Sequence, residues 1–143
     1  MIRKIEVTDY PRLVEIWESA VLSTHDFLKA EDFLYYKENL PTYFQYVNLL
    51  GFEQEGVLIG FMGIAEGNLE MLFIDSQYRG RGIGKKLITY GIENLRVTKV
   101  DVNEQNPQAV GFYEHMGFRI DKRSDRDGEG KAYPILHMRL KDA

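Results

Sequence analysis

A glycine-rich basic turn is the feature that most constrains the fold of this chain. The segment Gln77–Lys86 follows the apolar run Leu69–Ile74 and leads into the amphipathic run Ile83–Leu95. Glycine lets the backbone approach a ligand closely, and the first turn of a helix has N–H groups without internal partners. The segment holds four cations and no acid, in a chain of net charge -4: Arg79, Arg81, Lys85 and Lys86. The pattern predicts an anion-binding turn between a strand and a helix.

The spacing of the glycines distinguishes this turn from two common phosphate-binding loops. A P-loop needs a glycine five positions before Gly-Lys-Ser/Thr, but Arg79 stands there and Lys86 follows Lys85. The dinucleotide fingerprint needs a glycine at position 85 or 87, where Lys85 and Leu87 stand. Neither loop fits, and a glycine turn with solvated basic side chains is the simplest alternative.

Composition limits the class of protein. We expect one domain over residues 1–143, because this length can bury a sizeable core. The absence of cysteine excludes disulfides, thiolate nucleophiles and thiolate metal sites. Apolar runs fall short of the roughly 20 residues of a membrane helix, so we expect a soluble cytoplasmic protein without a membrane partner. A mildly acidic chain with one small basic patch also argues against a nucleic-acid partner.

Hydrophobic periodicity and turn residues predict the element order β-α-α-β-β-β-α-β-α-β-β. The predicted strands are Ile2–Val7, Val47–Glu53, Val57–Ala65, Leu69–Ile74, Lys99–Asn103, Arg119–Ser124 and Tyr133–Leu140. The first helix has Thr8 or Asp9 as its cap and a core face from Leu13 to Val21. The others are Ala30–Leu40, stopped by Pro41, then Ile83–Leu95, and Pro107–Met116, stopped by Gly117.

Two motifs and this element order resemble one known family. Gln77-x-x-Gly80-x-Gly82 resembles the coenzyme A pyrophosphate loop, Gln/Arg-x-x-Gly-x-Gly/Ala, of the GCN5-related N-acetyltransferases (GNAT). The segment Asn103–Phe118 resembles the family signature Asn-x-x-Ala-x-x-Phe-Tyr-x-x-x-Gly-Phe. Four shorter pieces resemble the bacterial YjaB-type acetyltransferases within that family: Thr24–Leu28, Leu72–Asp75, Asn103–Asn106 and Tyr133–Pro134.

The resemblance implies a fold and a donor. The fold is the α/β (α+β) acyl-CoA N-acyltransferase fold: a mixed, mostly antiparallel twisted sheet of about seven strands with helices on both faces, splayed between the fourth and fifth strands. Acetyl-CoA would lie in that gap, with its pantetheine arm as a false strand against the Phe73 and Ile74 backbone. Amides of one segment would meet the pyrophosphate: Arg79, Gly80, Arg81, Gly82, Ile83, Gly84 and Lys85. Asn106 would contact the donor from the other wall, cap the helix ahead of Pro107, or do both.

The resemblance also implies a role for Tyr113 at the leaving thiolate. Proton transfer from a phenol with a pKa near 10 to the thiolate of a thiol with a pKa near 8.5 is unfavourable by roughly 2 kcal/mol. Stabilisation of the developing thiolate through a hydrogen bond therefore fits better than full proton donation. The alternative is an aromatic side chain that packs the short helix beside Phe112.

The general base has two candidates. A lysine-like amine is mostly protonated at neutral pH, so forming its free base costs about 4 to 5 kcal/mol, which a base can lower. Strand alternation places Glu70 on one face with Leu72, unless a bulge shifts the phase. His25 lies between the two N-terminal helices, which line the acceptor site in this family. Weaker candidates are Asp26, Tyr36 and Tyr133, and we expect no metal because His115 and His137 form no convincing cluster with a carboxylate.

We therefore expect an enzyme that moves acetyl directly from acetyl-CoA to a primary amine of a small molecule or protein, in a ternary complex. The aromatic and acidic segment 31–46 hints at a cationic acceptor but equally suits an ordinary amphipathic helix. Two alternatives stay open: a non-catalytic coenzyme A-binding sensor or scaffold, and a nucleotide-binding phosphate loop. The expected assembly is a monomer or homodimer.

Overall fold

The computed structural model describes residues 1–141, and its elements follow the predicted order. The strands are β1 (Ile2–Lys4), β2 (Asn48–Gln54), β3 (Val57–Ala65), β4 (Asn68–Ile74), β5 (Lys99–Asn103), β6 (Phe118–Ser124) and β7 (Ile135–Leu140). The helices are α1 (Tyr10–Thr24), α2 (Ala30–Phe44), α3 (Ile83–Asn94) and α4 (Pro107–His115). Two short 3-10 turns, Val7–Asp9 and Ser76–Tyr78, precede α1 and the glycine-rich segment.

The strands form one sheet in the order β1-β2-β3-β4-β5-β7-β6. All neighbours are antiparallel except β4 and β5. In the described chain that parallel pair consists of Asn68 with Lys99 and Leu69 with Val100, after which the two strands part. The predicted mixed sheet, splayed between its fourth and fifth strands, is confirmed.

Helices cover both faces of the sheet, as predicted. On one face, α3 supplies Leu87 and Ile88 to a core that includes Val100 and Met138. On the other face, α1 and α2 supply Trp17 and Phe44 to a core around Phe61. Because the gap between β4 and β5 lies between these two helical layers, a ligand in it can be reached from either side of the sheet.

Two predicted boundaries were wrong by more than two residues. The second helix does not stop at Leu40: α2 continues through Pro41 to Phe44. Proline removes one backbone N–H from a helix, but the burial of Leu40 and Phe44 against the sheet holds the last turn in place. The first strand ends at Lys4, because the Asp9 carboxylate accepts the Glu6 N–H (2.8 Å) and closes a turn there instead of capping α1.

A β-bulge in β4 decides where Glu70 points. Gly63 of β3 pairs with Met71 and Ile64 pairs with Leu69, so Glu70 is an extra residue between them. Simple alternation would put Glu70 on one face with Leu72. Instead Glu70 lines a cavity together with Met71, on the face that carries α1 and α2. The structure therefore contains the bulge that the sequence analysis named as the one exception to simple alternation.

Candidate active site

A cavity of about 390 Å³, here called the turn cavity, lies between the glycine-rich turn, α4 and the end of β4. Nine of the predicted donor-binding residues line it: Phe73, Ile74, Arg79, Gly80, Gly82, Ile83, Gly84, Lys85 and Asn106. Arg81 lies outside this lining, with its guanidinium carbon 5.1 Å from the centre of the Tyr78 ring. Two predicted catalytic residues, His25 and Tyr113, also border the cavity.

The backbone of the turn requires its glycines. Gly80 and Gly82 have φ angles of 77° and 78°, in the left-handed region that glycine enters without steric cost. Gly82 is the residue that precedes the first turn of α3. The N–H groups of that turn have no carbonyl one turn earlier to bind, and its residues Ile83, Gly84 and Lys85 all line the turn cavity. The turn thus offers amide donors and positive charge to one ligand.

The start of this turn is anchored by Asp75, which sequence reasoning missed. Asp75 is 7% exposed and accepts bonds from the Gln77 N–H (3.0 Å) and from Arg12 (2.9 Å) on α1. Burial acts to raise the pKa of Asp75, but these two groups outweigh it and hold the pKa below its ordinary value. Its position just before the turn is a local signal for a cap. The Arg12 partner, far away in the chain, is not readable from the sequence.

Tyr113 is buried on α4 and is one of the residues that line the turn cavity. Its ring packs against Phe112 and Phe118, at centroid distances of 5.2 and 6.0 Å. The hydroxyl has no hydrogen bond to any other residue between positions 1 and 141, and burial raises its pKa. The phenol therefore stays protonated and is available as a hydrogen-bond donor to a ligand.

Asn106 is the predicted cap of α4 and also lines the turn cavity, while its predicted contact with the donor stays a prediction. Its side-chain oxygen accepts the Ala109 N–H (3.3 Å) and caps α4. The same buried side chain lines the turn cavity. The cap uses the side-chain oxygen, so the amide N–H groups are not used by it.

A second cavity of about 230 Å³, here called the helix cavity, lies between α1, α2 and β4. It shares His25 and Phe73 with the turn cavity, so the two meet beside the gap between β4 and β5. Its apolar lining consists of Trp17, Val21, Leu28, Leu40, Met71 and Ile135, and its polar lining of Tyr36, Tyr43, Glu70, Asn103, Asp127 and Tyr133. An apolar chain with a polar end fits such a lining.

Of the two predicted bases, His25 lies at this junction, whereas Glu70 lines the helix cavity only and not the turn cavity. Glu70 is exposed at the bulge, and desolvation by the surrounding wall raises its pKa. His25 follows the last turn of α1, and its Nδ1 lies 2.7 Å from the Thr24 hydroxyl. Burial lowers the pKa of His25, which favours the neutral imidazole. Of the weaker candidates, Tyr36 and Tyr133 line the helix cavity, whereas Asp26 is part of neither lining described here.

A clasp between α2 and the β6–β7 loop closes one wall of the helix cavity. The Tyr36 hydroxyl donates to Asp127, and the Tyr133 hydroxyl donates to Asp32. Asp32 also pairs with Lys131 (3.0 Å). Sequence reasoning missed the clasp because the partners are 91 and 101 residues apart, with no local pattern that joins them.

Residues 1–141 contain no group of three or more histidine, cysteine or acidic side chains placed to hold a metal ion. None of the helices described is both long enough and apolar enough to cross a membrane.

Comparison with known proteins gives one family. The family model of the acetyltransferase (GNAT) domain matches residues 21–141. The peptidyl-lysine N-acetyltransferase YjaB of Salmonella typhimurium is 37% identical over 141 residues, which cover 96% of this chain and 95% of that protein. The protein of the same name from Escherichia coli is 35% identical over 138 residues, covering 96% and 94%.

Solved structures agree on the fold. The solution structure of apo-form YjaB from Escherichia coli has a TM-score of 0.84 and 34% identity, covering 100% of this chain and 98% of that one. The crystal structure of PaiA N-acetyltransferase from Thermoplasma acidophilum in complex with coenzyme A has a TM-score of 0.72 and 23% identity, covering 98% of both chains. The second likeness is one of fold alone.

Proposed function

The chain belongs to the GNAT family of acetyl-CoA-dependent N-acetyltransferases, and from that premise we propose that its acceptor is the side-chain amine of lysine in a protein or peptide. One observation carries this proposal: the turn cavity and the helix cavity meet at His25 and Phe73, across the gap where β4 and β5 part. A donor on one side and a narrow, largely apolar amine site on the other suit a lysine side chain. The two YjaB relatives, named as peptidyl-lysine acetyltransferases, support this acceptor.

Acetyl-CoA occupies the turn cavity in this proposal. The pairing of β4 with β5 ends at Leu69, so the edge of β4 at Phe73 and Ile74 is free to bond the amides of the pantetheine arm. The pyrophosphate takes the N–H groups of residues 79–85, together with the charges of Arg79 and Lys85. Asn106 contacts the donor from α4. Arg81, outside the cavity lining, contributes through its amide and its long-range charge.

Transfer then needs three groups. The amine nitrogen, after Glu70 has taken one proton, attacks the acetyl carbonyl carbon; the C–N bond forms, the C–S bond breaks and coenzyme A leaves as a thiolate, which becomes the free thiol when it takes the second proton lost from the nitrogen. The Tyr113 hydroxyl donates a hydrogen bond to that thiolate. Because burial raises the pKa of Tyr113 further above that of a thiol, the hydrogen bond and not complete proton transfer is its role. His25 shapes the acceptor side as a neutral ring.

We expect direct transfer in a ternary complex. The protein mixed with acetyl-CoA alone, without an amine, should keep its unmodified mass in intact-protein mass spectrometry. A stoichiometric acetyl adduct that then passes to an added amine would replace the direct route with an acyl-enzyme route.

The acceptor is tested with three amines under identical conditions. One is an N-terminally blocked peptide with a single lysine; the second is the same sequence with a free N-terminus and glutamine in place of lysine; the third is spermidine. We expect acetylation of the first, with an equal amount of free thiol released. Acetylation of only the second or third would contradict the lysine acceptor and leave the transferase intact. Coenzyme A binding without thiol release for any amine would favour a non-catalytic sensor.

Three further expectations from the sequence stay predictions. They are one N-acetyltransferase domain over residues 1–143, a cytoplasmic location without nucleic-acid or membrane partners, and a monomeric or homodimeric state. Limited proteolysis, cell fractionation and light scattering after size exclusion measure these properties.

A further inference from the structure

Three side chains on neighbouring strands form a hydrogen-bonded chain outside the site described above. The Asp101 carboxylate on β5 lies 2.7 Å from Nδ1 of His137 on β7. The Nε2 atom of the same ring lies 2.7 Å from the Ser124 hydroxyl at the end of β6. Their neighbours Val100 and Leu136 face the α3 core, so the chain lies on the opposite face of the sheet. That part of the sheet stays accessible: the side chains of His137 and Asp101 are 26% and 36% exposed.

The carboxylate determines how the protons are arranged. An ionised carboxylate only accepts hydrogen bonds, so Nδ1 of His137 carries the proton and donates it to Asp101. In the neutral ring Nε2 then has a free lone pair and accepts the O–H of Ser124. Asp101 thus fixes the tautomer, His137 is placed as a base, and Ser124 is placed as a nucleophile. These are the three roles that activate a serine.

The chain borders a polar groove of about 370 Å³, here called the sheet groove. Asp101 and His137 line it, and so does Lys122, which is paired with His137 across the β6–β7 ladder. None of its described lining residues belongs to the turn cavity, and Glu70 alone is common to the sheet groove and the helix cavity. Lys122 brings a positive charge next to His137 in the groove. A small acyl compound in the groove therefore meets His137 without entering the acetyl-CoA site, and the half-buried Ser124 hydroxyl, which is not part of the groove lining, lies 2.7 Å from that ring.

We propose that Ser124, His137 and Asp101 form a second reactive site that cleaves small activated carboxylic esters. The Ser124 oxygen attacks the ester carbonyl carbon while its proton passes to Nε2 of His137. The ester C–O bond breaks, and the departing alcohol or phenol takes that proton. Water then hydrolyses the acyl-serine, which releases the carboxylic acid and restores the hydroxyl. The site needs neither acetyl-CoA nor an amine, so it stands independently of the function proposed above.

The test uses the whole protein and a fluorophosphonate probe, which reacts with activated serines. We expect the probe on Ser124 by peptide mapping, no adduct at that peptide in Ser124→Ala, and labelling at least tenfold slower in Asp101→Asn and His137→Gln. Hydrolysis of p-nitrophenyl acetate should fall at least tenfold in the same three variants. Ser23→Ala is the matched control, because this exposed serine donates to the Ala20 carbonyl and has no histidine partner.

Folding is controlled through the other site. Ser124→Ala should keep the acetyltransferase rate and the thermal midpoint of the unmodified protein, since Ser124 lines neither the turn cavity nor the helix cavity as described. Labelling that maps elsewhere, or a rate in Ser124→Ala or Asp101→Asn equal to that of the unmodified protein, overturns the proposal. The chain would then be a structural cross-strand network.

Discussion

The Tyr113 hydroxyl can be removed without disturbing the ring that carries it. Because the hydroxyl has no bond to another described residue, Tyr113→Phe keeps the contacts with Phe112 and Phe118. We expect kcat to fall about 100-fold, the usual loss when one donor to a developing anion is removed, while coenzyme A affinity changes by less than about twofold. Steady-state kinetics and calorimetry measure the two quantities.

The control for this variant is Tyr46→Phe, which alters a hydroxyl on a highly exposed side chain. It should leave kcat unchanged. Equal activity of Tyr113→Phe and the unmodified protein would make Tyr113 a packing residue only.

Glu70 gives the reaction a pH dependence with a defined sign. A base must be ionised to accept the amine proton, and desolvation raises the pKa of Glu70 above its ordinary 4.5. Activity should therefore fall as the pH drops through that raised pKa, and kcat/KM should be level above it. In Glu70→Gln, kcat/KM should be about 100-fold lower at neutral pH and should keep rising with pH, because only the amine that is already deprotonated reacts.

The matched control is Glu66→Gln, an exposed carboxylate at the turn before β4. It should keep the level region of the kcat/KM profile. A level profile in Glu70→Gln as well would assign the base to another group, with His25 the next candidate at the junction.

At the scale of an element, one substitution in the first turn of α3 should change ligand affinity and stability in opposite directions. A methyl group at Gly84 would meet only the side chains of Phe112 (3.7 Å) and Ile74 (4.0 Å), so Gly84→Ala causes no clash. The helix should gain up to about 1 kcal/mol in stability. The same methyl group occupies the turn cavity between those side chains, so coenzyme A affinity should fall about tenfold, or about 1.4 kcal/mol.

Gly111→Ala is the control, because Gly111 lies on the exposed side of α4 with no atom within 4 Å of an added methyl group. It should gain similar stability and keep its coenzyme A affinity. Thermal unfolding and calorimetry on both variants check the pair. Unchanged affinity in Gly84→Ala would contradict the place given to the pyrophosphate arm.

The Asp75 anchor links α1 to the turn, and its charge gives stability a pH dependence. The pKa of Asp75 is lower in the fold than its ordinary 3.8, so its contribution is complete above about pH 4 and is lost as pH falls through the lowered value. Asp75→Asn should cost about 2 to 3 kcal/mol at neutral pH, because it breaks the buried charged bond to Arg12 and leaves that guanidinium with the Leu58 carbonyl and the exposed Glu15.

Urea unfolding at neutral and acidic pH measures this effect. The difference between Asp75→Asn and the unmodified protein should shrink on acidification, whereas exposed Asp26→Asn should show no difference at either pH. A constant difference across the pH range would mean that packing, and not the charge of Asp75, anchors the turn.

The elements themselves were largely predictable, because local patterns determine them. The ranges Val57–Ala65 and Lys99–Asn103 were predicted to the residue, and so was the start of α3. The failures occur where tertiary burial overrides a local rule. Pro41 did not end α2, because Phe44 is buried one turn later. The direction of Glu70 depends on the bulge in β4, which is a property of its pairing with β3 and not of its own alternation.

At the scale of the whole molecule, the sequence identified the donor side better than the acceptor side. Most of the donor side is built from residues 72–85 and from α4 with its cap, so most of its residues are neighbours in the chain. The acceptor side is assembled from α1, α2, β4 and the β6–β7 loop. Its clasp joins Asp32 to Tyr133, 101 residues apart, and no local spacing reports such a contact.

The donor makes a last prediction that involves the stability of the whole fold. A ligand at 100 times its Kd stabilises the folded state by about 2.7 kcal/mol, which for a chain of this size corresponds to a rise in Tm of about 8 °C. Coenzyme A should produce that rise, because its pantetheine arm bonds the free edge of β4 while its pyrophosphate meets the turn. ATP and NAD at the same concentration should raise Tm by less than about 2 °C, since they offer phosphates to the turn but no arm to the gap. A similar rise in Tm with ATP would mean that the turn alone provides the affinity for the ligand. The glycine-rich segment would then be a general nucleotide-binding loop, and the gap between β4 and β5 would have no part in binding.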